Sequence, residues 1–371
     1  MKLTDRQSKI MSALFEGRAA ADANHWVSPG AIIGTLNLSV DPAGISRDWA
    51  ALEGGGLVQA EGSTKSRRYR LRTESDEYLE WDLTRPPELR PVVTYNFDIL
   101  KNYEPNVTTW LDADARDQLD AYTTYDPNTV DAEDYRRVLN ALIIDLSFAS
   151  SVLENVNITW LDTKTLLEFG LKPNGLSDKE LRIITNHKDA IEFMRDHRGE
   201  LSTSKRDILD LHKMVSAGLL GNMEDSGRVR RGIVFFDTSK YRPIDNNFIL
   251  EEQFDLYCAK AAKIENPHEQ ALFTMAMIPY LQVFQDGNKR TSRLAMNLPL
   301  INAGLPPFSF TSMNKRDYMF SLLVFYERGR VNILANSYVE AYKVSANKYG
   351  EIMRFLGDGG TLSTLEPAPK G

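Results

Sequence analysis

Between Gln282 and Arg293 the chain runs through Phe284, Asp286, Gly287, Asn288, Lys289 and Arg290, residue types suited to holding a phosphate-bearing anion. Gly287 and Asn288 tolerate the left-handed or bridge backbone in which successive N–H groups converge on an anion. Arg290 and Arg293 are three residues apart, so on a helix they share a face where two guanidinium forks can grip more than one phosphate group. Asp286 can hold a divalent cation, and Phe284 can anchor the turn in an apolar wall. Together these features define a polyphosphate site.

The elements that must position this turn follow from its surroundings. A helix starting at Asn288 would aim its N-terminal dipole and unpaired N–H groups at the same anion. Upstream, Leu139 to Glu154 is apolar-rich and reads as a helix, ending in Ser150, Glu154 and Asn155. Between the two lie Asp210-Leu211-His212, the glycine and arginine run Gly227 to Gly232, and the β-branched and aromatic stretch Val234 to Tyr241, bounded by Gly232 and Pro243. That stretch predicts a short hairpin whose strand edge is free to pair with an incoming peptide. His212, on an apolar helix, reads as a packed, hydrogen-bonded residue, and His25, His187, His197 and His268 lack metal-ligand spacing.

Residues 1–73 carry a pattern of their own. Thr4 caps a helix with Ile10, Met11, Leu14 and Phe15 inward, which Gly17 is expected to end; Ser28-Pro29 opens a second with Ile32, Ile33 and Leu36 inward. A third runs from Ala43 to Glu53 and stops at Gly54, Gly55 and Gly56. Two strands follow, Leu57 to Ala60 and Arg67 to Leu71, around a Gly62 turn. Three short helices and a hairpin resemble a winged helix-turn-helix DNA-binding domain. The resemblance implies that Ser46 and Arg47 on the third helix meet bases or phosphates, while Lys65, Arg67 and Arg68 neutralise backbone phosphate. The same residues also fit a solvated hairpin in a module used for protein contacts.

With 371 residues, 42% hydrophobic and 26% charged, the chain can bury a substantial core in two or three domains. Pro86-Pro87 and Pro91 mark a junction. The expected division is a winged-helix domain over 1–73, a linker and helical lobe over 74–135, a helical domain over 136–356 and a flexible tail over 357–371. The lone cysteine, Cys258, excludes an intrachain disulfide and fits a reducing cytosol and a cytoplasmic protein. No export or membrane-spanning segment is expected, since the apolar runs are too short. A net charge of −7 argues against general nucleic-acid coating, yet Lys65 to Arg72 is a local basic run ahead of an acid-rich stretch.

The turn resembles the signature of the Fic (fido-fold) family, histidine-Pro-Phe-x-Asp/Glu-Gly-Asn-Gly/Lys-Arg-x-x-Arg, matched here at Phe284, Asp286, Gly287, Asn288, Lys289, Arg290 and Arg293. The family's histidine falls on Gln282 and its proline on Val283. A neutral amide does not titrate near pH 7, and losing a general base costs about 10²- to 10⁴-fold in rate. Ser150-x-x-x-Glu154-Asn155 resembles the family's inhibitory helix motif, which implies that Glu154 pairs with Arg293 in the place of an ATP γ-phosphate. The resemblance spans residues 90 to 350 or so and implies a mainly α fold: an all-helical Fic-like domain with a short β-hairpin flap at Lys240, Tyr241 and Arg242, preceded by the small α+β winged-helix domain.

Two functions are open on these residues. One is a regulatory protein that binds ATP or a related nucleotide, with Mg²⁺ at Asp286, is autoinhibited by Glu154, and has weak or absent transferase activity. The other is a working protein adenylyltransferase that moves AMP from ATP to a protein hydroxyl, with Gln282 orienting the acceptor and Asp286-bound Mg²⁺ neutralising charge. Removal of AMP by a water that Glu154 positions ranks below both, since Gln282 is a poor proton donor. A kinase polarity, suggested by Lys289, conflicts with the retained Arg293. The partners implied are ATP, DNA through residues 1–73, a protein target at the flap and, as a further candidate, a second copy of the chain; a membrane is not among them.

Overall fold

A computed structural model describes residues 3–20, 25–36, 42–122 and 132–357. Of the expected tail, residues 357–371, Gly357 closes the last helix and residues 358–371 lie outside the described residues. The chain divides between Pro91 and Val92 into two compact units.

The first unit contains α1 (Asp5–Ala20), α2 (Pro29–Leu36), α3 (Pro42–Gly54), β1 (Val58–Glu61), β2 (Arg68–Leu71) and α4 (Asp76–Leu83). Thr4 starts α1 reciprocally with Gln7: Gln7 N donates to Thr4 Oγ1 at 3.3 Å and Thr4 N donates to Gln7 Oε1 at 3.0 Å. The helix runs through Gly17 to Ala20, three residues beyond the expected end. A helix-interior glycine costs only about 1 kcal/mol relative to alanine, so it can be passed. β1 and β2 pair antiparallel with Val58 opposite Leu71, and Val27 forms a further bridge to Tyr69. Trp49 stacks on Tyr69 with centroids 4.2 Å apart, at the centre of a core that also takes Ile10, Met11, Leu14, Ile32, Leu52 and Tyr78. Because α4 gives Tyr78 to this core, it belongs to the first unit; a linker had been expected from residue 74. The cap of α4 reinforces this, since Ser75 Oγ donates to the Gly56 carbonyl at 2.6 Å and accepts from Tyr78 N at 3.1 Å.

The second unit is mainly helical. It begins with β3 (Val93–Thr94), α5 (Phe97–Lys101), α6 (Ala113–Tyr122), α7 (Ala132–Leu153) and α8 (Trp160–Phe169). It continues with α9 (Asp178–Asp196), α10 (Lys205–Ser216), β4 (Tyr241–Arg242) and α11 (Asn247–Ala261). α12 (Pro267–Leu281), α13 (Asn288–Ala295), α14 (Asn297–Asn302), α15 (Lys315–Arg328) and α16 (Asn332–Gly357) complete it. Among the described residues no helix is long and apolar enough to cross a membrane.

α12 is buried on every side from Ala271 to Leu281, as a helix that is apolar all round must be, and packs against α11, α13, α14 and α15. Pro279 inside it supplies no N–H, which leaves the Met275 carbonyl without its helical donor. Ser292 Oγ on α13 donates to that carbonyl at 2.9 Å. The helix preceding the turn and the helix following it are therefore joined by a hydrogen bond. Of the stretch Val234 to Tyr241, where a hairpin was expected, only the end is strand, and it forms a small two-stranded sheet with a distant segment in place of a local hairpin: β4 pairs parallel with β3, Val93 beside Tyr241 and Thr94 beside Arg242.

Candidate functional site

The turn between α12 and α13 is built from its backbone outward. Gln282 closes α12 in the left-handed region with φ 50°, and Gly287 precedes α13 with φ 82°. The glycine carries the second reversal without steric cost. Asn288 locks the loop: its Oδ1 accepts from Phe284 N at 2.8 Å and its Nδ2 donates to the Phe284 carbonyl at 2.7 Å. Phe284 is fully buried and stacks face to face on His212, centroids 3.7 Å apart.

His212 has both ring nitrogens occupied. Gly227 N donates to Nδ1 at 2.9 Å, which leaves Nε2–H to donate to the Asp286 carbonyl at 2.9 Å. Burial pushes its pKa down to about 4, so it is a neutral strut under the turn with no lone pair to spare.

Gln282 is 8% exposed. Its Nε2 donates to the Pro279 carbonyl at 2.7 Å and its Oε1 accepts from Asn288 Nδ2 at 3.1 Å. Arg230, which sequence reasoning did not single out, holds the backbone beneath it. Its Nε donates to the Gln282 carbonyl at 2.6 Å, its Nη1 to the Gly232 carbonyl at 2.8 Å and its Nη2 to the Ile244 carbonyl. Its position in the run Arg228 to Arg231 gave no sign of this role, because spacing does not tell a buried arginine from its solvated neighbours.

The structure brings together the charged residues the sequence proposed. Arg290 Nη2 donates to Asp286 Oδ2 at 3.0 Å and Nη1 to the Val215 carbonyl at 3.1 Å. Arg293 Nη2 donates to Glu154 Oε1 at 2.6 Å, and Glu154 Oε2 lies 3.7 Å from Arg290 Nε. Glu154 is 21% exposed, whereas the arginine side chains are 1% and 4% exposed. Burial alone would raise the carboxyl, but Arg293 and then Arg290 outweigh it and bring its pKa down to about 2. Lys289 is lowered by burial, with Glu154 acting against the shift. Glu154 follows the last residue of α7 and Asn155 turns left-handed with φ 69°, its Oδ1 accepting from Lys315 Nζ on α15. Ser150 is wholly buried and accepts from Arg293 Nε at 2.8 Å.

Asp286 is open, with 64% of its side chain exposed. One carboxylate suits Mg²⁺, which keeps most of its waters and takes phosphate oxygens as further ligands. Among the described residues no group of three or more His, Cys, Asp or Glu side chains is arranged to hold a metal by itself.

The expected flap residues divide. Tyr241 is 2% exposed and its hydroxyl donates to the Tyr280 carbonyl at 2.7 Å, so it anchors the strand to the core. Arg242 is exposed, while Lys240 gives its carbonyl to Val93 N at 3.2 Å. Ile233 and Phe235, just upstream, are 59% and 78% exposed.

In the first unit Ser46, Arg47, Lys65 and Arg68 are exposed. Arg67 is engaged: its Nη2 donates to Glu53 Oε2 at 2.7 Å and its guanidinium lies over the Tyr69 ring. Arg70, in the same basic run, bonds Gln59 Oε1 at 3.0 Å and covers the Trp26 ring.

With this geometry in view, comparison with known proteins gives a consistent class. Residues 202–300 match the Fic/DOC family. Two adenylyltransferases are similar in sequence: "Protein adenylyltransferase fic-1" of Caenorhabditis briggsae, 26% identical over 51% of this chain and 38% of its own length, and "Protein adenylyltransferase Fic" of Nematostella vectensis, 27% identical over 49% of this chain and 43% of its own. The match thus spans less than half the length of either relative. Among solved structures, a Fic-1 variant from Caenorhabditis elegans superposes with a TM-score of 0.54 at 18% identity, covering 94% of this chain and 99% of that one. A Fic family protein from Desulfovibrio desulfuricans superposes at 0.51 and 18% identity, covering 72% and 79%. The chain is a Fic-fold protein.

Proposed function

We propose that the second unit binds ATP or a related nucleotide as a regulatory ligand, with weak or absent transfer, and that Glu154 restrains that binding. The observation that carries this reading is the state of Gln282. Its amide is buried and hydrogen-bonded at both ends, to the Pro279 carbonyl and Asn288 Nδ2, and an amide takes up no proton near neutral pH, so the position matched to a general base is held by a group that cannot act as one. The anion-holding groups are meanwhile assembled around Arg290 and Arg293, with Glu154 where an anionic oxygen would sit. A carboxylate on a guanidinium competes directly with a phosphate for the same donors. Asp286 would hold Mg²⁺, which screens phosphate charge when bound.

The first unit, in this proposal, is a winged helix that presents Ser46 and Arg47 on α3, with Lys65 and Arg68 on the hairpin, to DNA. The exposure of these four residues supports it. A reducing, cytoplasmic setting belongs to the same reading, as does a protein partner at the flap.

ATP binding and transfer of labelled AMP, measured for the native chain, Glu154→Gly, Gln282→His and the double variant, test the reading. Glu154→Gly should tighten ATP binding, and only the double variant should transfer AMP efficiently. Labelling of itself or of a lysate protein by the native chain would overturn it. That outcome would favour a working adenylyltransferase, a reading supported by the names of the two relatives and by the retention of Asp286, Asn288, Arg290 and Arg293.

A further inference from the structure

Behind Ser150 lies a second residue that the inhibitory motif does not include. His187, on α9, is fully buried with its Nε2 2.6 Å from Ser150 Oγ and its Nδ1 2.6 Å from the Ile183 carbonyl. A carbonyl can only accept, so Nδ1 carries the ring proton and Nε2 is left as an acceptor. The Ser150 hydroxyl must then donate to Nε2, which turns its lone pairs toward Arg293 Nε–H at 2.8 Å. Three hydrogen bonds thus run with one polarity: Arg293 to Ser150, Ser150 to His187, His187 to Ile183. Burial and the neighbouring Arg293 push the imidazole down to about 3, so the acceptor persists at every pH near neutral.

We propose that His187 is a positioning residue that sets the orientation of the Arg293 guanidinium through the Ser150 hydroxyl, and thereby directs its remaining donors toward Glu154 or a bound phosphate. With Nε held by Ser150, Nη2 meets Glu154 at 2.6 Å and the Ser150 carbonyl at 3.4 Å, while the buried Tyr318 hydroxyl stands beside the guanidinium. A guanidinium is planar, so fixing Nε and one flanking bond fixes the direction of all five donors. Without the acceptor on His187 the hydroxyl proton is free to rotate into the space that Arg293 Nε–H occupies. The part of the proposal that concerns phosphate rests on the nucleotide reading above; the part that concerns Arg293 itself does not.

Two variants of the full chain separate the acceptor from mere space-filling. His187→Asn keeps a donor for Ile183 but withdraws the acceptor from Ser150, whereas His187→Gln places an amide oxygen near the Nε2 position. Without nucleotide, hydrogen exchange of the Arg293 Nε–H, followed by ¹⁵N NMR, should quicken about tenfold in His187→Asn and in Ser150→Ala, no further in the double variant, and by less than about threefold in His187→Gln. Unchanged exchange in His187→Asn, or effects of the two substitutions that multiply, overturns the proposal. In a Glu154→Gly background, His187→Asn should weaken ATP binding about fivefold, with no additional loss on adding Ser150→Ala. If Glu154→Gly itself leaves ATP affinity unaltered, the nucleotide reading fails while the exchange result still decides the role of His187.

Discussion

Restoring a histidine at position 282 asks a residue of the turn to do work that the present side chain cannot. In a Glu154→Gly background, Gln282→His should raise AMP transfer by about 10²- to 10⁴-fold, the range for a general base. The rate should climb with pH through about 6.5, where a free imidazole becomes an acceptor. A rate indifferent to the substitution would mean that the Gln282 amide is not what limits transfer. Glu154 has its own pH window. Its pKa falls from 4.5 to about 2 in the folded chain, so its stabilising pair is complete above 4.5 and is lost only as the pH drops toward 2. ATP affinity should therefore show no step assignable to Glu154 between about pH 5 and 8. Glu154→Gln removes the counter-charge while keeping the shape, and urea denaturation should show a loss of about 2 kcal/mol, below the range for a wholly buried pair because Glu154 is 21% exposed.

At the scale of elements, α3 and the β1–β2 hairpin carry the DNA prediction. Arg47→Ala and Arg68→Ala together should lower the slope of log affinity against log salt by about 1.8, two phosphate contacts at 0.9 each. A fluorescence titration on the chain's own upstream DNA checks this; an unchanged slope removes these side chains from the interface. Arg67→Ala should act differently, through the fold, because its guanidinium is tied to Glu53 and lies over Tyr69. Sequence patterns revealed the elements where local chemistry dictates them. The Thr4 cap, the Gly62 turn and the start of α13 after Gly287 all rest on neighbours within a few residues. The Glu154–Arg293 pair, 139 residues apart, was legible only by way of a family motif. What could not be read was contact between distant segments. His187 meets Ser150 across 37 residues, and no spacing rule links a histidine on one helix to a serine on another. The same holds for β4, whose partner Val93–Thr94 lies far upstream, and for α4, whose amphipathic pattern does not say which core it joins.

For the whole molecule, the division between Pro91 and Val92 implies that the first unit holds its own core, centred on Trp49 and Tyr69. A chain of residues 1–91 should fold alone, giving helical circular dichroism and a cooperative thermal transition, at the modest stability expected of a domain of that size. A non-cooperative melt would show that this core needs the second unit to be complete. Ending the chain at residue 73 should abolish that transition, since it deletes Tyr78 and the Ser75 cap that seals Gly56.

The placement of β3 has a mechanical consequence. Val93 is the second residue after the division, and its N–H bonds the Lys240 carbonyl at 3.2 Å, while Tyr95 N bonds the Arg242 carbonyl at 3.0 Å. Tension on the backbone entering the second unit would therefore meet these two hydrogen bonds, and then that of Asn96 N to the Tyr280 hydroxyl at 2.8 Å, before it reaches α5. The segment carrying Ile233 and Phe235 is tied at its far end to the first strand of the second unit.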